Sequence, residues 1–544
     1  MTTVYAAFAA SAQANGAKPF LHFPASARGA AEPMELTYAD TIARADRIAA
    51  TYRERGYGAG NRVALLLENG PEFLLHYLAL NAIGASVVPL NPDYRAAELD
   101  YVLRQSEAGL AVALPQHITR LNSLGLPQLS VTAAGEPFDA PAAPSPLLQR
   151  NADSGIGGDA ECALLYTSGT TGKPKGCIIS NFYCLNMGRH YNSEGGLCEV
   201  RSGCERLITP LPLFHMNALV VSTMAMILSG GCIVQLDRFH PKTWWSDVAA
   251  SGATIVHYLG VMPAILLGQP EDPAERAHRL RFGFGANVDP RDHQAFEARF
   301  GFPLVEAWAM TETGGGAAIT ASREPRHVGT RCIGAPRPGL EVRIMDGEEQ
   351  DVPAGTPGEL LVRRAGADPR AGFFSGYFNN ARATEHAWRG GWFHTGDMVL
   401  RGQDGQLHFV DRSKNIIRRS GENIAALEVE AALLDHPAIR QIAVITAPDP
   451  VRDEEVMACV VPHAGAALTR ETAISIQDQC LSRLAYYKAP GYVAFVPSLP
   501  TTATNKVQKP RLADFGANPL GNPHCFDLRD RKKRNAQPVG ARRG

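Results

Sequence analysis

Charge of either sign is not in surplus: 53 Lys and Arg stand against 54 Asp and Glu in 544 residues, a formal net charge of −1. That balance argues against nucleic acid or an anionic membrane surface as the main partner. Cysteine is sparse, ten residues with no Cys-x-x-Cys pair and no Cys/His ligand spacing. Reduced, mostly buried thiols of a cytoplasmic protein are expected, and a structural metal site is not. The first twenty residues hold no basic residue before Lys18, and their short apolar run, Val4 to Ala10, is not read as the core of a signal, so no secretory leader is expected. A long uncharged stretch, 218–236, is interrupted by Ser222, Thr223, Ser229 and Gly230-Gly231. It predicts a buried helix followed by a strand over 232–236, not a membrane span. Internal repeats are lacking. The expectation is a soluble protein.

What is present is alternation. Arg62 to Leu67, Ala85 to Leu90 and Leu110 to Leu114 read as strands, with helices over 71–83 and 98–106 between them. Strand–helix alternation predicts a mostly parallel sheet with helical crossovers. A Pro/Ala-rich connector over about 133–159 leads to a second α/β unit with a strand at 254–257, a helix at 290–300 and a strand at 303–307. From 334 to 410 short strands between Gly and Pro turns suggest a small β-barrel or sandwich. After Arg412 the pattern changes to a compact α+β domain. The fold class is therefore α/β: an amino-terminal domain (1–411) of two α/β subdomains plus a small β-barrel, then a mobile α+β domain (412–515). The basic residues 516–544 are expected to form a flexible tail.

The densest motif is Tyr166-Thr-Ser-Gly-Thr-Thr-Gly-Lys-Pro-Lys-Gly176. Glycines let backbone N–H groups approach an anion, hydroxyls add donors and lysines neutralise charge, so the run is built to hold phosphate. It is not the common NTPase loop, which needs four residues between its glycines and then Gly-Lys-Ser/Thr. Gly169 and Gly172 are too close, and Pro174 bars a helix from starting at Lys173. A strand is expected before the loop, and the segment 177–187 can form a helix after it.

Further clusters carry chemistry. Pro210-Leu-Pro-Leu-Phe-His215 sets a histidine after a proline-stiffened segment. In Glu306-Ala-Trp-Ala-Met-Thr-Glu-Thr-Gly314, an exposed Trp308 can stack on a base, and Glu312 suits Mg²⁺. Taken alone, a core tryptophan would explain that segment as well. Asp397 in Trp392-Phe-His-Thr-Gly-Asp397 can accept both hydroxyls of a ribose, although Asp in a turn is ordinary. Asp411-Arg-Ser-Lys-Asn-Ile-Ile-Arg-Arg-Ser-Gly-Glu-Asn423 lies at the expected domain boundary, and Pro500-Thr-Thr-Ala-Thr-Asn-Lys506 places a lysine late in the small domain.

In order, and over nearly the whole chain, these motifs resemble the adenylate-forming superfamily, and within it the acyl-CoA ligase branch that includes carnitine/crotonobetaine-CoA ligase-like proteins. The resemblance implies that ATP and a small-molecule carboxylic acid form an acyl-adenylate and pyrophosphate, after which the thiol of CoA displaces AMP. ATP and CoA are then co-substrates and Mg²⁺ the cofactor. It implies that Thr167, Ser168, Gly169, Thr170, Thr171, Gly172 and Lys175 cradle phosphates. Trp308 would stack on adenine and Gly285, Ala286 and Asn287 line its other side, Ala309, Met310 and Thr311 would also belong to the ATP site, Asp397 and Arg412 would hold the ribose, and Glu312 would hold Mg²⁺. Lys506 would be the cation between carboxylate and α-phosphate, and His215 would border the carboxylate and thiol tunnel; with Glu312 these are the implied catalytic residues. Lys414 would be the hinge, Arg418 and Gly421 would face CoA, and Met216, Asn217, Tyr258, Gly260 and Met262 would line the acyl pocket.

Two positions depart from the family pattern. Asn505 stands where Gly is usual, and Trp308-Ala309 replaces Tyr-Gly; neither removes a charged group. The competing readings are a stand-alone enzyme that loads a carrier protein and a degenerate nucleotide-binding homologue. No carboxylate is placed to pair with a substrate amine, and a homodimer is compatible with the sequence but not specified by it.

Overall fold

The computed structural model describes residues 2–29, 31–135, 137–144, 156–167, 173–346, 349–412, 416–500, 507 and 509–533. The chain forms two compact units: Met1–Pro92, Leu103–Tyr166 and Gly176–Ser413 make the first, and Asp93–Val102, Thr167–Lys175 and Lys414–Gly544 the second. That two earlier segments belong with the carboxy-terminal residues was not foreseen from consecutive domains.

The first unit holds three sheets. The seven-stranded sheet runs, from one edge to the other, Gly376–Tyr377, Lys175–Ser180, Glu161–Thr167, Ser86–Pro89, Arg62–Leu66, Leu110–Ala113, Ser130–Ala133. The last four of these pair in parallel. Every residue of Arg62–Leu66 is buried, as expected for a strand covered on both faces. Local signals set the flanking helices. Tyr38–Glu54 begins with a reciprocal box in which Thr37 accepts from the Asp40 N–H and Asp40 accepts from the Thr37 N–H. Pro71–Ala82 starts with proline, where no amide hydrogen is needed.

The eight-stranded sheet has the order Ile319–Thr320, Leu304–Trp308, Phe282–Ala286, Ile255–Leu259, Arg206–Thr209, Cys232–Gln235, Pro19–Phe23, Met34–Thr37. Its five central strands, from Leu304–Trp308 to Cys232–Gln235, are mutually parallel. The stretch around 218–236 is core: a π-helix Asn217–Ser222, a helix Thr223–Ser229 and the strand Cys232–Gln235. Among the described residues no helix is long and apolar enough to cross a membrane. The third sheet is antiparallel, in the order Cys332–Gly334, Leu407–Arg412, Phe393–Arg401, Gly358–Arg364, Leu340–Met345.

One expectation fails after the phosphate-loop motif. The residues from 177 do not continue directly as a helix. Lys175–Ser180 is a strand that pairs with Gly376–Tyr377, and the helix Asn181–Asn192 begins only after Ser180, whose hydroxyl caps the Tyr183 N–H. Two adjacent isoleucines favour the pleat, and the serine ends it.

In the second unit, Asp453–Pro462 pairs with Ile439–Asp449, with Tyr492–Phe495 and with the edge of Ile416–Arg419. Asp93–Val102 joins it through Lys488, whose buried ammonium donates to Glu98 at 2.6 Å and Glu428 at 2.9 Å. A second correction concerns the basic carboxy-terminal residues, which are not a free tail over 516–533. Cys525–Asp527 adds a strand to Tyr492–Phe495, and Leu528 is fully buried. Arg529 pairs with Asp449 and Asp527, Arg531 with Asp478, and Lys532 with Glu455. The cations have carboxylate partners supplied by the rest of the domain, so the run folds in place of repelling itself.

Candidate active site

Four parallel strands of the eight-stranded sheet send their carboxyl ends to one edge, the place where open α/β sheets bind ligands. Arg206–Thr209 leads into Pro210–His215, Ile255–Leu259 into Gly260, Phe282–Ala286 into Asn287, and Leu304–Trp308 into Ala309–Glu312. His215, Gly285 to Asn287 and Trp308 to Glu312 are thereby gathered from segments far apart in sequence.

The loops at this edge touch backbone to backbone. The Gly260 N–H donates to the Ala286 carbonyl at 3.0 Å. A Cβ at Gly260 would stand 1.6 Å from the Asn287 carbonyl oxygen, so only glycine fits. Asn287 itself has φ 65°, which asparagine tolerates. Beneath it lies a residue that the motif reading named without giving a role. Glu306 is buried, and its carboxylate accepts the Val288 N–H at 2.7 Å. Burial pushes this carboxyl up to about 7, against the backbone donors that favour its charged form. Its signal in the sequence was a charged residue in a strand that should be buried on both faces.

Trp308 is 5% exposed, so it is not the open stacking platform expected. Its indole N–H donates to the Asp397 carboxylate at 2.8 Å, across 89 residues of sequence. Asp397 is set by its own turn: Gly396 has φ 70°, and the Asp397 N–H donates to Thr395 Oγ1 at 3.0 Å. In the same antiparallel ladder Asp397 lies opposite Arg412. The two residues expected at the ribose are cross-strand neighbours, and the departure from Tyr to Trp supplies a donor for one of them.

Glu312 is buried and accepts the Tyr377 hydroxyl at 2.8 Å. Burial, then the Glu312 charge, pushes the Tyr377 phenol well above its ordinary range, so it stays a donor. Tyr377 pairs with Cys177 on the strand that leaves the phosphate-loop motif, which links that strand to Glu312. The Thr311 carbonyl accepts from the Tyr183 hydroxyl at 2.7 Å, and the Met310 N–H donates to Thr313 Oγ1 at 2.9 Å. Such bonds hold the segment from Ala309 to Glu312 as a fixed turn.

The expected acyl-pocket residues divide. Met216 and Asn217 are half-buried beside His215, whose ring lies 4.7 Å from that of Phe214. Tyr258 and Met262 are core residues. Tyr258 points its hydroxyl to the Val305 carbonyl at 3.2 Å, and its ring fills the space left by Gly283 and Gly285. The strand neighbour on the opposite face, His257, is the one that meets Asn217.

Ser168, Gly169, Thr170, Thr171, Gly172, Lys414 and Lys506 lie outside the described residues, as does the Arg412 side chain. Thr167 ends one strand and Lys175 begins the next in the seven-stranded sheet. Arg418 and Gly421 belong to the second unit. Arg419 and Glu422 pair directly, leaving Ser420 (φ 50°) and Gly421 (φ 87°) as a two-residue hairpin loop. Positive φ at both positions is the hairpin turn that matches strand twist, so the glycine has a conformational reason to be there. Behind the hairpin, Arg419 donates to the buried Glu455 at 2.7 Å, and Lys532 donates to its other oxygen. Burial pulls Lys532 down to about 7 despite that carboxylate.

A model of the AMP-binding enzyme family matches residues 8–378, and one of the AMP-binding enzyme C-terminal domain matches 428–506. The chain belongs to the AMP-binding enzyme family. Similar curated proteins of this family extend over almost the whole chain. A sulfoacetate–CoA ligase from Cupriavidus necator is 32% identical over 91% of this chain and 94% of its own. A crotonobetaine/carnitine–CoA ligase from Proteus mirabilis is 30% identical over 88% and 93%. A solved malonyl-CoA ligase, in ternary complex with methylmalonyl-CoA and AMP, superposes with a TM-score of 0.72 at 28% identity, covering 89% of this chain and 96% of that one. The protein is an AMP-forming enzyme of the acyl-CoA ligase branch.

Proposed function

We propose that the enzyme joins a small polar carboxylic acid to CoA in two steps. The acid's carboxylate oxygen attacks the α-phosphorus of ATP, the bond to the β-phosphate oxygen breaks, and acyl-adenylate and pyrophosphate form. The sulfur of CoA then attacks the acyl carbon, the acyl–phosphate bond breaks, and AMP leaves as the thiol proton is released. The observation that carries this reading is the end-to-end match to relatives named CoA ligases, with both family domains present. The acids in those relatives' names carry a polar or charged group besides the carboxylate.

The geometry supports a division of labour. Asp397, oriented by Trp308, accepts the ribose hydroxyls, with Arg412 as its ladder neighbour. The adenine lies against the stretch from Gly285 to Asn287, whose shape Glu306 sets. Thr167 to Lys175 take the phosphates. Glu312, a single carboxylate oriented by Tyr377, fits an ion that keeps most of its ligands as phosphate and water. Mg²⁺ held there would offset phosphate charge. Lys506 supplies the cation where carboxylate and α-phosphate meet, and His215 borders the acid. The chain divides between Ser413 and Lys414, which supports Lys414 as the hinge that exchanges Lys506 for the Arg418–Gly421 hairpin between half-reactions. Dependence on ATP and CoA fits a cytoplasmic enzyme.

The test is AMP release and acyl-CoA formation with ATP, Mg²⁺, CoA and a panel of short polar acids, hydrocarbon acids and aromatic acids. Acid-dependent AMP together with the matching thioester is expected. AMP from none of them, or an adenylate that never passes to CoA, would overturn the reading.

A further inference from the structure

His257 is wholly buried on the strand Ile255–Leu259, stacks on Phe284 and lies within hydrogen-bond reach of three side chains. Its Nε2 lies 3.0 Å from the Tyr191 hydroxyl, and its Nδ1 lies 2.7 Å from Ser222 Oγ and 3.2 Å from Asn217 Oδ1. Ser222 Oγ also reaches the Asn217 main-chain carbonyl at 3.3 Å. Burial pulls the imidazole down to about 3, so the ring is neutral, with one donor and one acceptor nitrogen.

The hydrogen-bond balance selects the tautomer. With the proton on Nδ1, that nitrogen donates to Ser222 and Asn217, Ser222 donates to the Asn217 carbonyl, and Tyr191 donates to Nε2. Every buried donor then has an acceptor. With the proton on Nε2, the buried Tyr191 O–H would face a donor and would have no acceptor among the described residues, while Asn217 Oδ1 would face a lone pair. The Nδ1–H form therefore turns the Asn217 oxygen inward and its NH₂ group away from the histidine.

Asn217 is half-buried, two residues after His215, at the start of a π-helix. Such wide turns are frequent at functional sites. Its NH₂ has no acceptor among the described residues. Through His257 the amide is fixed to the strand whose carboxyl end abuts the Asn287 loop.

We propose that Asn217 is a specificity-determining donor for the acyl group and that His257 is its positioning residue. The acid, on the ligase reading above, then carries a hydrogen-bond acceptor (a hydroxyl, keto, sulfonyl or second carboxyl oxygen) beyond the reacting carboxylate. A plain alkyl chain leaves this donor without a partner, and a half-buried amide should discriminate by about 10- to 100-fold.

The experiment compares acids of equal length with and without such an acceptor, reading kcat/KM by AMP release. Wild-type enzyme should prefer the acceptor acids, and Asn217→Leu should abolish or invert the preference. Tyr191→Phe, nearly isosteric, frees Nε2 to take the proton. It should raise KM for acceptor acids several-fold with little change in kcat, and shift the His257 ¹⁵N resonances away from the Nδ1–H pattern expected in wild type. An Asn217→Leu enzyme with the wild-type preference, or a wild-type His257 protonated on Nε2, would overturn the inference and leave the ligase reading standing. A wild-type enzyme that releases AMP with no acid would remove both.

Discussion

The sheet edge around Trp308 and the hairpin around Gly421 both fix residues proposed to meet substrate, but by opposite means. At the edge, each group is held by a partner distant in sequence: Trp308 by Asp397, Glu312 by Tyr377, the Asn287 loop by Glu306. In the hairpin, position comes from four consecutive residues, Arg419 to Glu422, whose dihedrals close the turn. The hairpin still relies on distance in one respect, since Arg419 behind it is neutralised by Glu455, which also holds Lys532. A site built from remote pairs should lose function and stability together. A site built from a local turn should lose function with the domain intact.

Breaking the buried cluster behind the hairpin should have the largest effect. Glu455→Ala leaves the buried Arg419 guanidinium without its carboxylate and should cost about 3–5 kcal/mol in chemical denaturation of the full chain. Next, Asp397→Ala removes the acceptor of a buried indole N–H and should cost about 1.5–3 kcal/mol together with a raised KM for ATP. If only KM moves, the Trp308 bond is not structural.

The Glu306 carboxyl gives a pH test. Its folded value of about 7 lies above the ordinary 4.5, so the native state holds a proton that the unfolded state releases. Its contribution to stability is full below about 4.5 and is lost as pH rises to about 7, a change on the order of 1–3 kcal/mol. Subtracting the melting profile of Glu306→Gln from that of wild type should isolate that slope. A difference flat across this range would show the carboxylate to be ionised throughout.

Gly421→Ala forces a side chain into φ 87° and should cost about 1–2 kcal/mol. It should impair thioester formation while ATP–pyrophosphate exchange survives, and loss of both would place the hairpin in the first half-reaction. Smallest is Ser420→Gly, which relieves a non-glycine residue at φ 50° and should stabilise by about 0.5–1 kcal/mol.

Much of the frame was readable before any coordinates. The helix of 290–300 was expected where Pro290–Phe300 forms, and the strands of the first parallel sheet fall within a residue or two of their expected ends. Glycine, proline and capping residues announce such elements locally. Tyr258 was misplaced because alternation along a strand separates two faces without saying which face meets the π-helix; the residue there is His257. The basic run after 528 suggested a solvated tail because its carboxylate partners, Asp449, Glu455 and Asp478, lie some fifty to eighty residues earlier.

By itself, then, the order of residues determined the family and the strand–helix alternation, because motifs and periodicity act within a few neighbours. Only the tertiary structure decided that Trp308 donates to Asp397, that buried Glu306 holds the Asn287 loop, and that His257 meets Asn217. Those outcomes depend on burial and on partners up to 89 positions apart, which the chain acquires only when its sheets assemble.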